Sequence, residues 1–165
     1  MLRLTKKADY ALMALKFLAE QPGASAQTPA ERSASAQSAK DIAQAYHIPS
    51  PLLAKILQTL AKGGLLISHA GTNGGYALAR PASTISAFEV IRAIDGPLFI
   101  TSCITIHGSC DLSGHCTIKE PLRKVNDSIK DLLNNITISD LIEPADGTGK
   151  KVSIAVGDGL VSLTV

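Results

Sequence analysis

The sequence predicts a mainly α-helical fold that carries one β-hairpin, and three observations support this. Apolar residues recur every three to four positions in several segments, each ended by glycine or proline. A Gly-rich turn containing Asn73-Gly74 separates two short strand-like runs. The length of 165 residues, 45% of them hydrophobic, suits one compact core. We therefore expect one domain with appendages.

The first helix is predicted over residues 5–20, where the apolar spacing is helical and Pro22-Gly23 ends the pattern. Residues 22–37 are small and polar, with almost no large apolar side chain. Such a composition buries too little surface to offset the entropy of ordering the chain. We predict a mobile surface linker over 22–37.

Two short helices follow this linker. A capping-box pattern at residues 38–41 starts the first, which ends near His47. Ser50 as N-cap and Pro51 at the first helical position start the second. Its apolar residues share one face, and Lys55, Gln58 and Lys62 lie on the other. The pattern predicts a helix-turn-helix, although an αα-hairpin of a helical bundle has the same periodicity.

The strand-like runs 65–69 and 76–79 follow at once, around a turn that includes Gly71 and Asn73. A helix-turn-helix with such a hairpin is a winged helix, in which the second helix enters the DNA major groove and the wing reaches the flanking backbone. A helical domain that binds no DNA is the alternative.

The charge distribution favours a polyanionic partner for the N-terminal half. Residues 1–80 hold nine Lys/Arg against four Asp/Glu, whereas residues 81–165 hold seven against ten. Three Tyr, three Phe and no Trp argue against single-stranded nucleic acid, so duplex DNA is the predicted partner. Lys55 and Gln58 are predicted to contact bases. Other candidates for DNA contact are Ser50, Pro51, Gly71 and the lysines Lys6, Lys7, Lys40 and Lys62. For these lysines, a solvated charge that contacts no phosphate is the alternative.

The C-terminal half predicts two further helices. Ser86 and Glu89 form a capping-box pattern before a helix that stops at Gly96-Pro97. A long helix over 121–143 carries an apolar seam: Leu122, Val125, Ile129, Leu132 and Ile136. The seam needs an apolar partner, either the chain's own domain or, as we favour, the same helix of a second copy. Residues 144–165 alternate in a way that fits a β-hairpin or an unpaired tail.

All three cysteines lie in a loop over residues 98–120, in the pattern Cys103-x6-Cys110-x5-Cys116. Three thiolates in one short loop can surround a single metal centre, but they are one ligand short of the usual four. Structural zinc sites more often contain C-x2-C pairs, so the wider spacing favours an iron-sulfur cluster over zinc. Three reduced, inert thiols are the alternative.

The order of these motifs resembles that of the IscR and NsrR group of bacterial winged-helix regulators. The resemblance rests on MLRLTKKADYAL, SAKDIAQAYHIPSPLLAKILQTLAKGGLL, GTNGGYALARP, the cysteine loop and LLNNITISDLI, and it covers residues 1–143. It implies a winged helix-turn-helix with a long dimerisation helix. It also implies that Cys103, Cys110 and Cys116 are the thiolate ligands of an iron-sulfur cluster.

The resemblance bears on the fourth ligand too. IscR-like proteins use a His three positions after the last Cys, where this chain has Lys119. NsrR-like proteins use an Asp on the first helix of the other subunit, and Asp9 matches it. A carboxylate near a helix start is also explained by the helix dipole alone. His107 and His115 are rival ligands, and an aspartate ligand favours a 4Fe-4S over a 2Fe-2S cluster.

The chain departs from the group at two positions of the DNA face. Relatives commonly place an Arg before the Gly-rich turn, where this chain has Ala70, so minor-groove insertion by that arginine is lost. His69 or Asn73 is expected to take over part of the contact. IscR-like proteins carry an acidic residue at the position of Ala54, so site discrimination is expected to work differently here.

The sequence thus predicts a cytoplasmic, homodimeric repressor that binds a duplex DNA operator and senses iron-sulfur status, nitric oxide or redox stress. The start of the chain lacks an export signal, no segment suits a membrane, and no catalytic grouping or small-molecule substrate site is evident. A metal-free thiol-redox regulator is the first alternative. A non-DNA-binding iron-sulfur or zinc protein is the second.

Overall fold

The computed structural model describes residues 4–24, 26, 28–71, 74–101, 105, 115–142, 151–156 and 159–164. Cys103, His107, Cys110 and Asn73 lie outside these residues, as do most of the predicted loop over 98–120 and part of the predicted tail. Side chains are described in all of these ranges except at Pro29 and in residues 151–164.

The described residues form mainly helices with two separate β-hairpins, which confirms the predicted fold class. The helices are α1 (Lys6–Ala19), α2 (Pro29–Ser33), α3 (Ala39–Ala45), α4 (Ser50–Lys62), α5 (Ala87–Asp95) and α6 (Lys119–Asn135). The strands are β1 (Leu66–His69), β2 (Gly75–Leu78), β3 (Lys151–Val156) and β4 (Gly159–Thr164), and a short 3-10 turn spans Ala82–Thr84.

The hydrophobic core lies where α1, α3, α4 and α5 meet. Each of these helices contributes its apolar stripe because its buried residues recur at helical spacing. The largest fully buried apolar side chains are Leu15, Leu18, Ile42, Leu53, Leu57, Leu60, Leu78, Ile85, Val90, Ile91 and Ile138. Burial of these side chains is the main favourable contribution to folding.

The wing hairpin is antiparallel, with His69 opposite Gly75 and Leu66 opposite Leu78. Gln37, which precedes α3, pairs with the other edge of β2. Gln37 N donates to Tyr76 O at 3.0 Å, and Tyr76 N donates to Gln37 O at 2.8 Å. Gly75 is required there because a Cβ at this position would lie 2.5 Å from Gln37 O. Strand β2 is therefore held along both edges.

The structure differs from the linker predicted over residues 22–37. Thr28 caps the short helix α2 by accepting a hydrogen bond from Glu31 N, and Gln37 pairs with the wing. Arg32 is only 3% exposed and donates to backbone carbonyl oxygens at the end of β2. The order here comes from contacts distant in sequence, which composition does not reveal.

Helix α6 ends at Asn135, earlier than the predicted limit of 143. Residues 136–138 instead pair with the chain just before α5, where Ala87 N donates to Ile136 O and Ile138 N donates to Ile85 O. Ile138 thereby enters the core, with no exposed surface. The helix stops because its next residues are extended and bonded elsewhere.

The predicted tail contains a hairpin in its described part, where β3 and β4 pair antiparallel from Lys151 opposite Thr164 to Val156 opposite Gly159. Among the described residues, no helix is both long enough and apolar enough to cross a bilayer.

The first prediction tests the anchoring role of Ile138. Ile138→Ala should lower the free energy of unfolding by about 2–5 kcal/mol, because it leaves a cavity in the core. Ile138→Val should cost about 0.5–1.5 kcal/mol. Urea denaturation measures both, with Leu141→Ala, at a 36% exposed neighbour, as the control. Equal losses for Ile138→Ala and Leu141→Ala would contradict the packing described.

The second prediction concerns the capping box of α5. Glu89 accepts hydrogen bonds from Ser86 N at 3.1 Å and from Arg80 Nη2 at 2.9 Å. Partial burial raises the pKa of Glu89, but these two donors together outweigh it and hold the pKa below its ordinary value. A lowered pKa contributes stability above the ordinary glutamate pKa, and this stability is lost as pH falls through the folded-state pKa.

Glu89→Gln should therefore destabilise the protein at neutral pH, and the deficit should shrink as the solution becomes acidic. Thermal unfolding of both proteins across that pH range measures the deficit. Glu120→Gln serves as the control because its pair with Arg123 is about 60% exposed on both sides. A Glu89→Gln deficit that stays constant with pH would show that the carboxylate charge does not contribute.

Candidate nucleic-acid interface and cysteine loop

Helix α4 presents a polar, partly basic face to solvent. Its buried residues are Leu53, Ile56, Leu57 and Leu60. Lys55, Gln58 and Lys62 are exposed, as the helical periodicity predicts. Spacings of three and four place them along one stripe of the helix. This stripe gives α4 a surface with both donors and acceptors, the groups that read base edges and phosphates.

The start of α4 differs in detail from the prediction. The helix begins at Ser50 with Pro49 as N-cap, and no side chain caps it. Ser50 is therefore a helical residue and not the N-cap, while Pro51 occupies the first turn, where no intrahelical N–H is needed. Both are exposed. They remain available for contact at the end of α4 where unbonded backbone N–H groups lie.

The turn between α3 and α4 contains a strained residue. His47 has φ of 53°, the only positive φ outside glycine among the described residues. A non-glycine residue rarely adopts this conformation, so the surrounding contacts enforce it. One such contact is Ile48 N donating to Ala43 O at 2.9 Å, which also lets Ile48 enter the core.

A cleft of about 310 Å³ lies between α4 and the wing. Its lining residues are Gln58, Ala61, Lys62, Ser68 and Tyr76. Two predicted DNA contacts, Gln58 and Lys62, thus lie beside two residues, Ser68 and Tyr76, that were not predicted to take part. The predicted hairpin is the signal that could have found them. Ser68 and Tyr76 lie opposite each other in it, so their side chains share one face of the wing.

The remaining predicted DNA contacts are spread over several elements. Lys6 opens α1 and Lys40 lies in the first turn of α3, and both are exposed. In the wing, Gly71 is exposed with φ of 116°, a conformation that favours glycine. His69 is half-buried, and its Nε2 is buried without a hydrogen-bond partner in the described part of the chain.

The N-terminus of α1, which carries Asp9, is tied to the end of α5. Thr5 Oγ1 donates to Asp95 Oδ1 at 2.6 Å, and Thr5 N donates to Asp95 Oδ2 at 3.3 Å. Thr5 also caps α1 by accepting from Ala8 N at 3.2 Å. Asp9 is exposed one turn further along. The carboxylate predicted as a ligand therefore lies on a helix fixed to the segment that leads into the cysteine loop.

The chain that enters the loop crosses α6. Ile100 N donates to Asn126 Oδ1 at 3.1 Å, and Lys130 Nζ lies 5.7 Å from the centre of the Phe99 ring. Asn126 has no exposed surface, and its Nδ2 is bonded to no described atom. This arrangement fixes the chain three residues before Cys103.

The other end of the loop leads directly into α6. Cys116 is a half-buried free thiol, His115 is exposed, and α6 begins at Lys119. Within the described ranges no three potential metal ligands cluster, and these ranges exclude Cys103, His107 and Cys110. Both ends of the loop are thus attached to the same helix.

The family is decided by a match over most of the chain. The family model Rrf2, described as an iron-dependent transcriptional regulator, matches residues 4–144. This chain belongs to the Rrf2 family. The resemblance to the IscR and NsrR group is confirmed at this level.

Named relatives and solved structures agree with the assignment to Rrf2. The chain is 34% identical over 141 residues to MT1325 of Mycobacterium tuberculosis (strain CDC 1551 / Oshkosh), named as an HTH-type transcriptional regulator, covering 85% of this chain and 81% of that protein. It is similar to CymR, the global cysteine regulator of B. subtilis, with 26% identity, a TM-score of 0.62 and coverage of 86% and 97%. It is also similar to T. potens IscR, with 28% identity, a TM-score of 0.61 and coverage of 88% and 90%.

Rrf2 proteins are DNA-binding transcriptional regulators, so α3 and α4 form the helix-turn-helix of this chain and β1–β2 its wing. The solved structures share this winged-helix fold. The chain is also similar to an oxidized form of Staphylococcus aureus CymR, with 26% identity, a TM-score of 0.62 and coverage of 88% and 99%. Both IscR and CymR are thus structural neighbours, so family membership alone does not fix the chemistry of the three cysteines.

The third prediction separates two kinds of contact on α4. Lys55→Ala should cost about 1–3 kcal/mol on a preferred duplex and little on random DNA, because a base contact is lost. Lys62→Ala should weaken binding to all sequences alike and reduce the salt slope by about one. Titrations on a selected and a scrambled duplex at several salt concentrations measure both effects.

Lys124→Ala, which removes an exposed lysine from α6, is the charge-matched control and should leave both duplexes bound as before. Equal losses on the two duplexes from Lys55→Ala and Lys62→Ala would refute the assignment of bases to one and phosphates to the other.

Proposed function

We propose that this Rrf2 protein is a homodimeric repressor whose affinity for duplex DNA is set by an iron-sulfur cluster. Cys103, Cys110 and Cys116 are the proposed thiolate ligands, and Asp9 of the partner subunit is the proposed fourth. The observation that carries the proposal is the attachment of both ends of the cysteine loop to one helix, α6.

The DNA-binding half of the proposal rests on the exposed stripe of α4 beside the wing cleft. Lys55 and Gln58 read bases in the major groove, and Lys62 contacts a phosphate next to the wing. Ser50 and Pro51 approach the backbone at the start of α4, with Lys6 and Lys40 as further phosphate contacts. His69, Gly71 and Asn73 place the wing against the flanking DNA.

The dimer is supported by the surface of α6. Among its described side chains only Asn126 is fully buried, while Val125 is 49% exposed. Leu122, Ile129 and Leu132 are half-buried on the same seam. A second copy of α6 packed along this seam would cover these apolar groups and supply the two-fold symmetry that suits a palindromic operator.

The donor set fits an iron-sulfur cluster. Thiolates are the ligands that these clusters prefer, and the described thiol, Cys116, is accessible and unpaired. Asn126 Nδ2 adds a buried N–H donor without a described partner beside the start of the loop. When bound, a 4Fe-4S or 2Fe-2S cluster supplies a centre that reacts with oxidants and nitric oxide; an aspartate ligand favours 4Fe-4S.

The described contacts connect the loop to the DNA face. Asn126 fixes the entering chain on α6, and Asp95, at the end of α5, holds the first turn of α1 through Thr5. α1 and α5 both pack against α4. Ordering the loop between these anchors therefore biases the position of α4, and in a dimer it biases the separation of the two recognition helices.

A second candidate, direct thiol sensing without metal, is favoured by one finding: the similarity to CymR of Staphylococcus aureus, which has been solved in an oxidized form. In that case two of the three thiols would form a disulfide on oxidation, with the oxidant as electron acceptor. Cys116, half-buried and free, would be one of the reacting groups.

The fourth prediction tests the cluster. Anaerobically purified protein should be brown and contain iron and sulfide but not zinc, and about four irons per chain would support 4Fe-4S. Cys110→Ala should be colourless. Asp9→Ala should lose the cluster faster than wild type, because a ligand is missing, whereas His107→Ala and His115→Ala should retain it. Absorption spectra and metal assays on each sample measure these outcomes.

A protein that stays colourless after reconstitution would overturn the cluster. Loss of free thiols on peroxide treatment of that protein would then support the thiol sensor. Retention of the cluster in Asp9→Ala together with its loss in either His variant would move the fourth ligand into the loop. Equal binding of DNA with and without the cluster would reduce the function to constitutive repression.

A further inference from the structure

Arg32 is a buried cation in the segment between α1 and α3. Only 3% of the residue is exposed, yet its side chain is long and charged. Its Nε donates to Leu78 O at 3.2 Å, its Nη2 to Ala79 O at 2.8 Å and its Nη1 to Ala26 O at 2.5 Å. Burying a charge is costly unless it is hydrogen-bonded, so these bonds compensate for a large penalty. Two of them reach the end of the wing strand β2.

The bonds from Arg32 extend the row of hydrogen bonds on the outer edge of β2 beyond the last backbone pair. Gln37 and Tyr76 exchange both of their backbone hydrogen bonds on the outer edge of β2. Carbonyl groups two residues apart point the same way, so Leu78 O lies on that edge too. In an antiparallel ladder its partner would be Ser35, but Ser35 N donates to Arg32 O in the turn after α2. Arg32 Nε supplies the missing donor.

The guanidinium suits this position because its donors form a rigid fork. One side chain reaches two consecutive carbonyl groups of the wing and a third in the preceding loop, which a lysine ammonium cannot do with the same geometry. Helix α2 holds the fork in place: Thr28 and Glu31 cap it, and Ser35 Oγ donates to Arg32 O at 2.7 Å. Residues 28–37 thus form a brace on the outer edge of β2.

The wing has a particular need for such support. Residues 65–79 contain no Lys or Arg, so this hairpin lacks strong charge-based attraction to phosphates. Its contact with DNA depends on shape and on short polar groups, which require a fixed backbone. A hairpin of two four-residue strands is marginally stable by itself. A wing fixed beforehand loses less conformational freedom when DNA binds.

We propose that Arg32 is a positioning residue for DNA binding, which holds the wing at a fixed angle to α4 and so sets the wing's share of the affinity. The proposal rests on the DNA-binding function proposed above, and it is independent of the cluster. The partner it concerns is the duplex that flanks the site read by α4.

The test compares Arg32→Gln and Arg32→Lys with wild type on two duplexes. One is selected by the wild-type protein from a random-sequence library, and the other is the same duplex shortened to the part that α4 covers. Both variants should bind the long duplex about three- to tenfold more weakly and the short one as wild type does. Hydrogen exchange of the β2 amides should accelerate by about tenfold or more while exchange in α1 stays unchanged.

Two controls separate positioning from general effects. Arg92→Gln removes the same charge from an exposed site and should behave as wild type. Ile138→Val weakens the core far along the chain from the wing and should affect both duplexes alike. If Arg32→Gln fails to fold, Arg32→Lys, which keeps the charge and the stem, carries the test.

An unchanged ratio of long- to short-duplex affinity in the Arg32 variants would overturn the proposal even if the wing amides exchange faster. A wild-type protein that binds no duplex at all would instead overturn the DNA-binding function itself. The fifth prediction is therefore the fall of that ratio towards one in the Arg32 variants, with the ratio preserved in both controls.

Discussion

Burial of one face of α4 is the constraint on which the DNA-binding surface depends. Leu53, Leu57 and Leu60 fill the core between α1, α3 and α5, and none of them has more than trace exposure. A helix that buries this stripe has no freedom to rotate, because a turn about its axis would expose several large apolar groups at once. The polar residues between them are fixed on the outside as a result. The core thus determines which side chains can meet DNA, before any contact with DNA is considered.

Local signals in the sequence predicted much of the fold. The capping box of Ser86 and Glu89, the stop at Gly96 and the Asn-Gly turn each depend on residues a few positions apart, and the elements they mark are present. The outward stripe of α4 was predictable for the same reason, since periodicity alone places it. The stability of each of these features depends on residues that lie only a few positions apart in the sequence.

The features that the sequence did not predict depend on partners far away in the chain. Arg32 bonds to carbonyl groups 46 and 47 residues further along the chain. Its neighbours in sequence are small and polar, so the segment has the composition of a linker. Helix α6 ends where Thr137 pairs with Ser86, a pairing that no spacing within the helix reveals. The geometry of Cys103 and Cys110 lies outside the described residues, so the ligand set remains a prediction. Where the free energy of a segment is set by long-range contacts, composition alone is a poor guide.

The bond between Thr5 and Asp95 couples the position of α1 to that of α5. Asp95 is the last residue of α5, where the partial negative charge of the helix end disfavours a carboxylate. The same carboxylate lies at the first turn of α1, where the partial charge is positive. If the two helices separated, the Asp95 carboxylate would lose its favourable interaction with the start of α1 and keep the unfavourable one with the end of α5. This difference opposes their separation. The helices α1 and α5 also pack against each other. Under the proposed mechanism, a displacement passed from the cysteine loop to α5 would therefore be transmitted to α1 as well.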